Sequence, residues 1–409
     1  MHTAKNKKLK EFVSVWAGPV FLAVLFIFLL TVSWRKWPDI LIDFGHELYI
    51  PWQLMSGRVL YADIAYLYGP FSPYINSLLF SCFGVSMSTI FTANILLLAG
   101  FFVLLYTAWS KLFDRLTAFA CCAIVLMIFT FSQLGSTGNY NFVCPYSHEA
   151  THGLILSGLL MFMLWRFARN RHSRWLVLSG VTLGCIFMTR AEVAFAACLY
   201  VLCFLGLNLR SGCVGECPFI KRLFFLVGGF FVPLILFFGI FNRTMSYTHA
   251  ARAVSGAWMA LLSGDVISNQ FFISGLGFDN PFENIVSMLA GAAVAVVVTA
   301  LVLWLLRFTG KGAMKDSHVV PFALLVFVLF LIGKIDLYSA GHPLPILVFI
   351  ILLLFARTYL KTPSKSEPVC HTLSFSLSFS VFSSALLIKM LLNCRLYHYG
   401  FTSRCPQLF

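Results

Sequence analysis

The chain has 409 residues, of which 60% are hydrophobic and only 11% are charged. Soluble globular proteins carry about 25% charged residues, so this composition excludes a soluble globular domain. The formal charge of +14 would suit a nucleic-acid partner, but the placement of the basic residues argues against that class.

Apolar runs of membrane length recur near 13–33, 88–109, 116–133, 151–167, 175–189, 191–208, 223–241, 285–306, 319–333, 343–359 and 370–392. A span needs roughly 20 apolar residues. Its backbone must satisfy its own hydrogen bonds in lipid, so each run is expected to be helical. The expected fold class is all-α: a polytopic transmembrane helical bundle of about 11 spans, forming one multi-pass domain over residues 1–409.

The N-terminus carries Lys5, Lys7, Lys8 and Lys10 before the first run, and no small-residue cleavage site follows it. That pattern predicts a retained first span with a cytoplasmic N-terminus. Alternating the spans from there puts Lys111, Arg115, Arg166, Arg169, Arg171, Arg174, Lys221, Arg222, Arg357 and Lys361 on the cytoplasmic side. This is the positive-inside pattern, so the basic balance reports topology and implies no nucleic acid. Asp43, Glu47, Glu149, Glu192, Asp279 and Asp336 fall on the opposite face, where the loops 34–87, 134–150 and 242–284 are also long.

The first of these loops holds the densest chemistry, in the stretch DFGHELYIPWQLMSGRVLYADIAYLYGPFSPY from Asp43 to Tyr74. If a helix starts at Gly45, Asp43 caps it and the i, i+4 spacing brings Glu47 near. A carboxylate held above a membrane can act as general base toward a hydroxyl acceptor or as a metal ligand. The plain alternative is a helix cap beside a solvated face. His46 and Tyr68 belong to the same candidate cavity. Residues 73–84 are too short to span and are expected to lie at the interface.

His148, Glu149 and His152 form H-E-x-x-H, which on a helix puts both imidazoles on one face, as zinc binding requires. Three readings stand: zinc proteolysis, a divalent metal ion shared with Asp43, and a polar helix start whose histidines are hydrogen-bonded. Further on, Arg190 and Glu192 lie in the turn MTRAE. About 16 residues of helix from Arg174 rise roughly 24 Å, short of the roughly 30 Å core. Lys334 falls short in the same way after Val319. Ionisable groups at such depth usually line a cavity, and two cations there suit a lipid-linked phosphate. An Arg190–Glu192 ion pair with Lys334 snorkelling outward is the alternative.

In the third outer loop Trp258, Phe271, Phe272 and Phe278 alternate with Asp265, Asp279 and Glu283. Such a pattern suits sugar binding or an interfacial aromatic belt. Asp336 and His342, in KIDLYSAGHPLP, would close the same site from the later spans. The chain ends soon after its last run, in RLYHYGFTSRCPQLF, and reads as shortened.

With these segments in place the chain resembles the GT-C superfamily of membrane glycosyltransferases, in particular the dolichyl-phosphate-mannose-type and aminoarabinose-type transferases. The matching features are Asp43 after the first span, segments near 45–57 and 71–84, the Gly69-Pro70 corner, and the turn Gly184 through Glu192. The chain has Tyr68 where many relatives place a lysine before that corner. The resemblance implies inverting transfer of a sugar from a polyprenyl-phosphate donor to an envelope glycan, lipid or protein acceptor. It makes Asp43 the base, with Glu47 beside it, and Arg190 a phosphate contact. It also implies a bacterial inner membrane, surrounding membrane lipids and a periplasmic active face. A transporter for lipid-linked sugars is the remaining alternative, although the paired broken helices of transporters are not visible.

Overall fold

The structure, a computed structural model, describes residues 2–38, 41, 44–131, 141–210, 219–262, 270–309, 341–362 and 367–395. Among the described residues it is all-helical, with no strand beyond one isolated bridge between Leu60 and Ile64. The elements in chain order begin with α1 (His2–Ser33), α2 (Gly45–Met55), α3 (Phe71–Phe83), α4 (Met87–Leu112) and α5 (Arg115–Val125). A π-helical turn, Leu126–Thr130, ends α5; α6 (His148–Asn170), α7 (Ser173–Phe187), α8 (Ala191–Arg210) and α9 (Phe219–Phe241) follow. Short helices α10 (Tyr247–Val254), α11 (Gly256–Leu262) and α12 (Gln270–Leu276) fill the third long loop. The chain then runs through α13 (Pro281–Thr309), α14 (Leu344–Lys361) and α15 (Glu367–Leu387).

Eight of the described helices are long and apolar enough to cross a membrane: α1, α4, α6, α8, α9, α14, α15 and the apolar stretch Ile273–Leu301 that includes most of α13. The runs expected at 116–133 and 175–189 also form helices, but these cover only Arg115–Thr130 and Ser173–Phe187. The fifteen residues of α7 rise about 22 Å, less than the roughly 30 Å of a bilayer's hydrocarbon core. The run at 319–333 falls outside the described residues. The α4–α5 connection is tight because Asp114 caps α5, accepting from the Thr117 backbone N–H and hydroxyl at 2.8 Å each. At the same end Arg166 and Arg174 lie over Trp175, and Arg169 lies over Trp165, at 5.3–5.4 Å.

Lipid supplies no hydrophobic drive between helices, so close packing of small residues must hold them. The closest pair is α7 with α9. Gly180 and Gly184 form a G-x-x-x-G face on α7, and a Cβ on either would lie 2.1 Å from the Leu226 carbonyl or 2.3 Å from the Phe230 carbonyl of α9. Gly229 returns the contact, with a Cβ there falling 2.3 Å from the Val177 carbonyl. Near the start of the bundle, Trp37 and Phe44 are fully buried and pack on Phe91 of α4 at 5.6 and 5.8 Å. This anchors the first loop to the bundle.

Because the obstacle at Gly184 is backbone, Gly184→Val should destabilise the protein by at least the 1–3 kcal/mol typical of overpacking. Thermal unfolding in detergent reads this as a lowered midpoint. Gly206→Ala, where a Cβ meets nothing within 4 Å, should leave the midpoint unchanged or raise it.

Candidate functional site

The end of the bundle away from the basic connections gathers polar side chains from four separate segments. Glu47 of α2 is buried and reaches His148, the first residue of α6. Its Oε2 accepts from the His148 ring Nδ1 at 2.6 Å and from the His148 backbone N–H at 3.1 Å. His46 lies 3.5 Å from the other Glu47 oxygen. On the far side of the ring, His148 Nε2 faces Asn94 Nδ2 at 3.0 Å, and the same amide donates to the Val143 carbonyl at 2.9 Å. A carboxylate can only accept and an amide nitrogen can only donate, so His148 presents N–H at Nδ1 and a lone pair at Nε2. Burial works to raise the Glu47 carboxyl, but the hydrogen bonds from His148 and His46 outweigh it and hold it down at about 2.

Glu149, the next residue, is completely buried. It accepts from the Ser147 hydroxyl at 2.7 Å and from the Tyr66 hydroxyl in a short contact. Burial first, and then the charges of Glu149 and Glu47, hold the Tyr66 phenol well above the ordinary tyrosine range. It therefore stays a donor. His152, one turn along, holds Ser72 of α3 through Nδ1 at 3.0 Å.

Arg190 enters from the α7–α8 turn and is 3% exposed. One Nη1 hydrogen bond runs to the Tyr146 hydroxyl at 3.1 Å, and the guanidinium lies 4.4 Å over the Tyr68 ring. Glu192 is 3.6 Å away and also meets Lys389, beyond α15, at 3.0 Å. The Arg190 turn is clamped by two glycines. Gly69 donates its N–H to the Thr189 carbonyl at 2.8 Å, while Phe71 donates to the Met188 carbonyl at 3.1 Å. A Cβ at Gly69 would lie 2.0 Å from that Met188 oxygen, and one at Gly153 would lie 2.8 Å from the Thr189 hydroxyl.

Further along the same helices runs an apolar slot between α4, α5, α6 and α15. Phe101, Leu105, Leu154, Gly158, Met161 and Phe382 line it. On α6 the slot is lined by Leu154, Ser157, Gly158 and Met161, a different face from the one carrying His148 and His152.

The first loop, the H-E-x-x-H segment and the Arg190 turn thus meet, joining Glu47, His46, Tyr68, His148, Glu149, Arg190 and Glu192. The helix beginning at Gly45 forms with Phe44 at its cap position, while Asp43 itself lies outside the described residues, as do Lys334, Asp336 and Asp265. Asp279 is exposed in the turn before α13, away from these bonds. His342 is buried just before α14, near the α13–α14 contact. Trp258 packs on the end of α7, stacking on Phe187 at 5.2 Å. Both ring nitrogens of His148 are engaged by Glu47 and Asn94, and among the described residues no three His, Cys, Asp or Glu side chains group as metal ligands. The sequence reading did not single out Asn94, Tyr66, Tyr146 and Lys389. A lone asparagine in an apolar span was a visible signal for the first of these.

No protein-family model, no curated protein and no solved structure matches the chain. Two outcomes follow from the network's geometry. Glu47→Ala strips a buried partner from His148 and should cost about 3–5 kcal/mol, read as a lowered unfolding midpoint. The lowered Glu47 carboxyl adds stability that is complete above its ordinary value of 4.5 and is lost as pH falls through about 2. The midpoint should therefore drop across that acidic window in the native chain, and by less in Glu47→Ala.

Proposed function

We propose that the protein is an integral-membrane glycosyltransferase that moves a sugar from a polyprenyl-phosphate donor to an acceptor hydroxyl at the periplasmic face of a bacterial inner membrane. The observation that carries this reading is the meeting of buried carboxylates, imidazoles and a guanidinium, drawn from distant segments, in a bundle that also holds an apolar slot. A polar head and an apolar chain on one ligand match that pair of features. Buried ionisable groups with opposed neighbours are also where acid–base and phosphate chemistry concentrates. The proposed topology has about 11 spans, with α2 and α3 lying at the outer interface.

In the proposed reaction an acceptor hydroxyl gives its proton to a carboxylate. The freed oxygen attacks the anomeric carbon, and the bond from that carbon to the phosphate oxygen breaks. The departing phosphate takes the bonding electron pair. Arg190 supports this last step, because a preorganised cation in a dry site stabilises the developing charge. Lys334, a second cation on the same face in this topology, would share that charge. Glu47 is a weak base while His148 and His46 hold it ionised, so it is better suited to fixing His148 than to taking a proton. Asp43, two residues before α2, is the base that the resemblance implies.

The test is transfer by membranes supplied with a polyprenyl-phosphate sugar. Asp43→Asn and Arg190→Gln should each lower transfer by about 10²–10⁴-fold while the protein still inserts, judged by its unfolding midpoint. Full activity in Asp43→Asn would remove that residue from the mechanism. Absence of transfer by the native chain with any such donor would sink the whole assignment.

A further inference from the structure

The network contains a charge arrangement that structural need alone does not explain. A buried carboxylate and a buried guanidinium are each costly in a medium of low dielectric, and direct pairing is the usual remedy. Glu149 takes neither Arg190 nor any other cation among the described residues; the hydroxyls of Tyr66 and Ser147 stand at hydrogen-bond distance from it. Arg190 lies between faces of Tyr68 and Tyr146 and meets Glu192 at 3.6 Å, while its buried Nε has no hydrogen-bond partner. One tyrosine of a single short loop thus stands on each charge, Tyr66 on Glu149 and Tyr68 on Arg190.

That loop is a compact unit with its own internal bonds. Asp63 accepts from the Val59 N–H at 2.8 Å, Tyr61 N–H donates to the Ile64 carbonyl at 2.9 Å, and the Tyr61 hydroxyl donates to the Tyr68 carbonyl at 2.5 Å. Tyr61 itself adopts φ +67°, a left-handed conformation costly for a residue with a side chain. Tyr66 and Tyr68 meet edge to face at 5.8 Å, while Ala62, Ala65 and Leu67 between and beside them are exposed. The two side chains could therefore rotate toward open space without disturbing the Gly69 clamp on the turn.

We infer that Tyr66 and Tyr68 are gate residues occupying the two seats of an amphiphilic ligand: the Tyr66 hydroxyl marks where a ligand hydroxyl donates to Glu149, and the Tyr68 ring marks where a phosphate reaches Arg190. The phosphate component rests on the transferase reading above; the gate itself does not require that any sugar be transferred. In this arrangement Glu149 accepts a hydrogen bond from a hydroxyl of the same ligand whose phosphate Arg190 holds. The separation of the buried charges is kept because a ligand carrying both a donor and an anion pairs with each at once.

The experiment uses the full chain in lipid nanodiscs with farnesyl phosphate, inorganic phosphate or farnesol as probe. Binding is followed by equilibrium dialysis, and tyrosine exposure by tetranitromethane nitration with mass spectrometry. Farnesyl phosphate should bind and raise nitration at Tyr68 several-fold, and farnesol, which carries the hydroxyl, should raise it at Tyr66. Farnesol should leave Tyr68 unchanged, and inorganic phosphate should act at Tyr68 only at far higher concentration if the apolar chain contributes. Tyr68→Ala should tighten farnesyl phosphate binding several-fold, Tyr68→Phe should bind as the native chain does, and Arg190→Gln should lose the probe. If Tyr68→Ala does not fold, nitration of the native chain still decides the matter. Binding with unchanged or reduced nitration at both tyrosines overturns the gate, as does failure of both phosphates to bind. Sugar transfer with unmoved tyrosines would spare the enzyme assignment and reject the gate, while moved tyrosines without transfer would do the reverse.

Discussion

The hydrogen-bonded pair of Glu47 and His148 is the contact on which the rest of the polar end depends. Neither residue is near the other in sequence, and both are buried where an unpartnered carboxylate would be intolerable. The carboxylate is satisfied only if α2 lies against the start of α6, which fixes the first loop on the bundle. Asn94 then holds the opposite nitrogen of the same ring and ties α4 into the arrangement. In a low-dielectric interior such a chain of bonds is strong when complete and costly when broken, so it specifies one placement of three helices.

A second constraint is backbone approach, and it governs the Arg190 turn. The turn is held by carbonyl and hydroxyl contacts that a Cβ at Gly69 or Gly153 would obstruct. Behind it, the G-x-x-x-G face of α7 sets the helix that carries the turn. Small residues serve here because packing, not water exclusion, draws helices together in lipid. The short α7 ends in this turn, and Arg190 there is buried within the bundle.

Between these two fixed points stands the tyrosine loop. Its rings fill the space between a buried anion and a buried cation without neutralising either. A wall of Phe and Leu would have left one Glu149 oxygen without its hydroxyl donor, and a direct salt bridge would have left no room for a ligand. Under the transferase reading, the same geometry sets a hydroxyl seat apart from a phosphate seat.

Much of the architecture was legible before any coordinates, because the period and length of apolar runs are local properties. The helices at α1, α4, α6, α8 and α9, the start of α2 at Gly45, and the shortness of the segment ending at Arg190 all follow from counting residues. The H-E-x-x-H spacing was equally visible, yet its meaning was not. On a helix alone, His148 and His152 look like a metal pair; in the bundle, Glu47 and Asn94 take up both nitrogens of the first and Ser72 binds the second. Which groups bond is decided by contacts across about 50 to 100 residues of chain, and no periodicity encodes those. The same limit hid Tyr66, whose hydroxyl acquires significance only when α6 brings Glu149 beneath it. Sequence therefore determined which segments are helical and where the charges reside, since both depend on near neighbours. Tertiary packing alone decided which charges are paired and which are kept apart, because in a dry interior that choice depends on what lies within 3 or 4 Å.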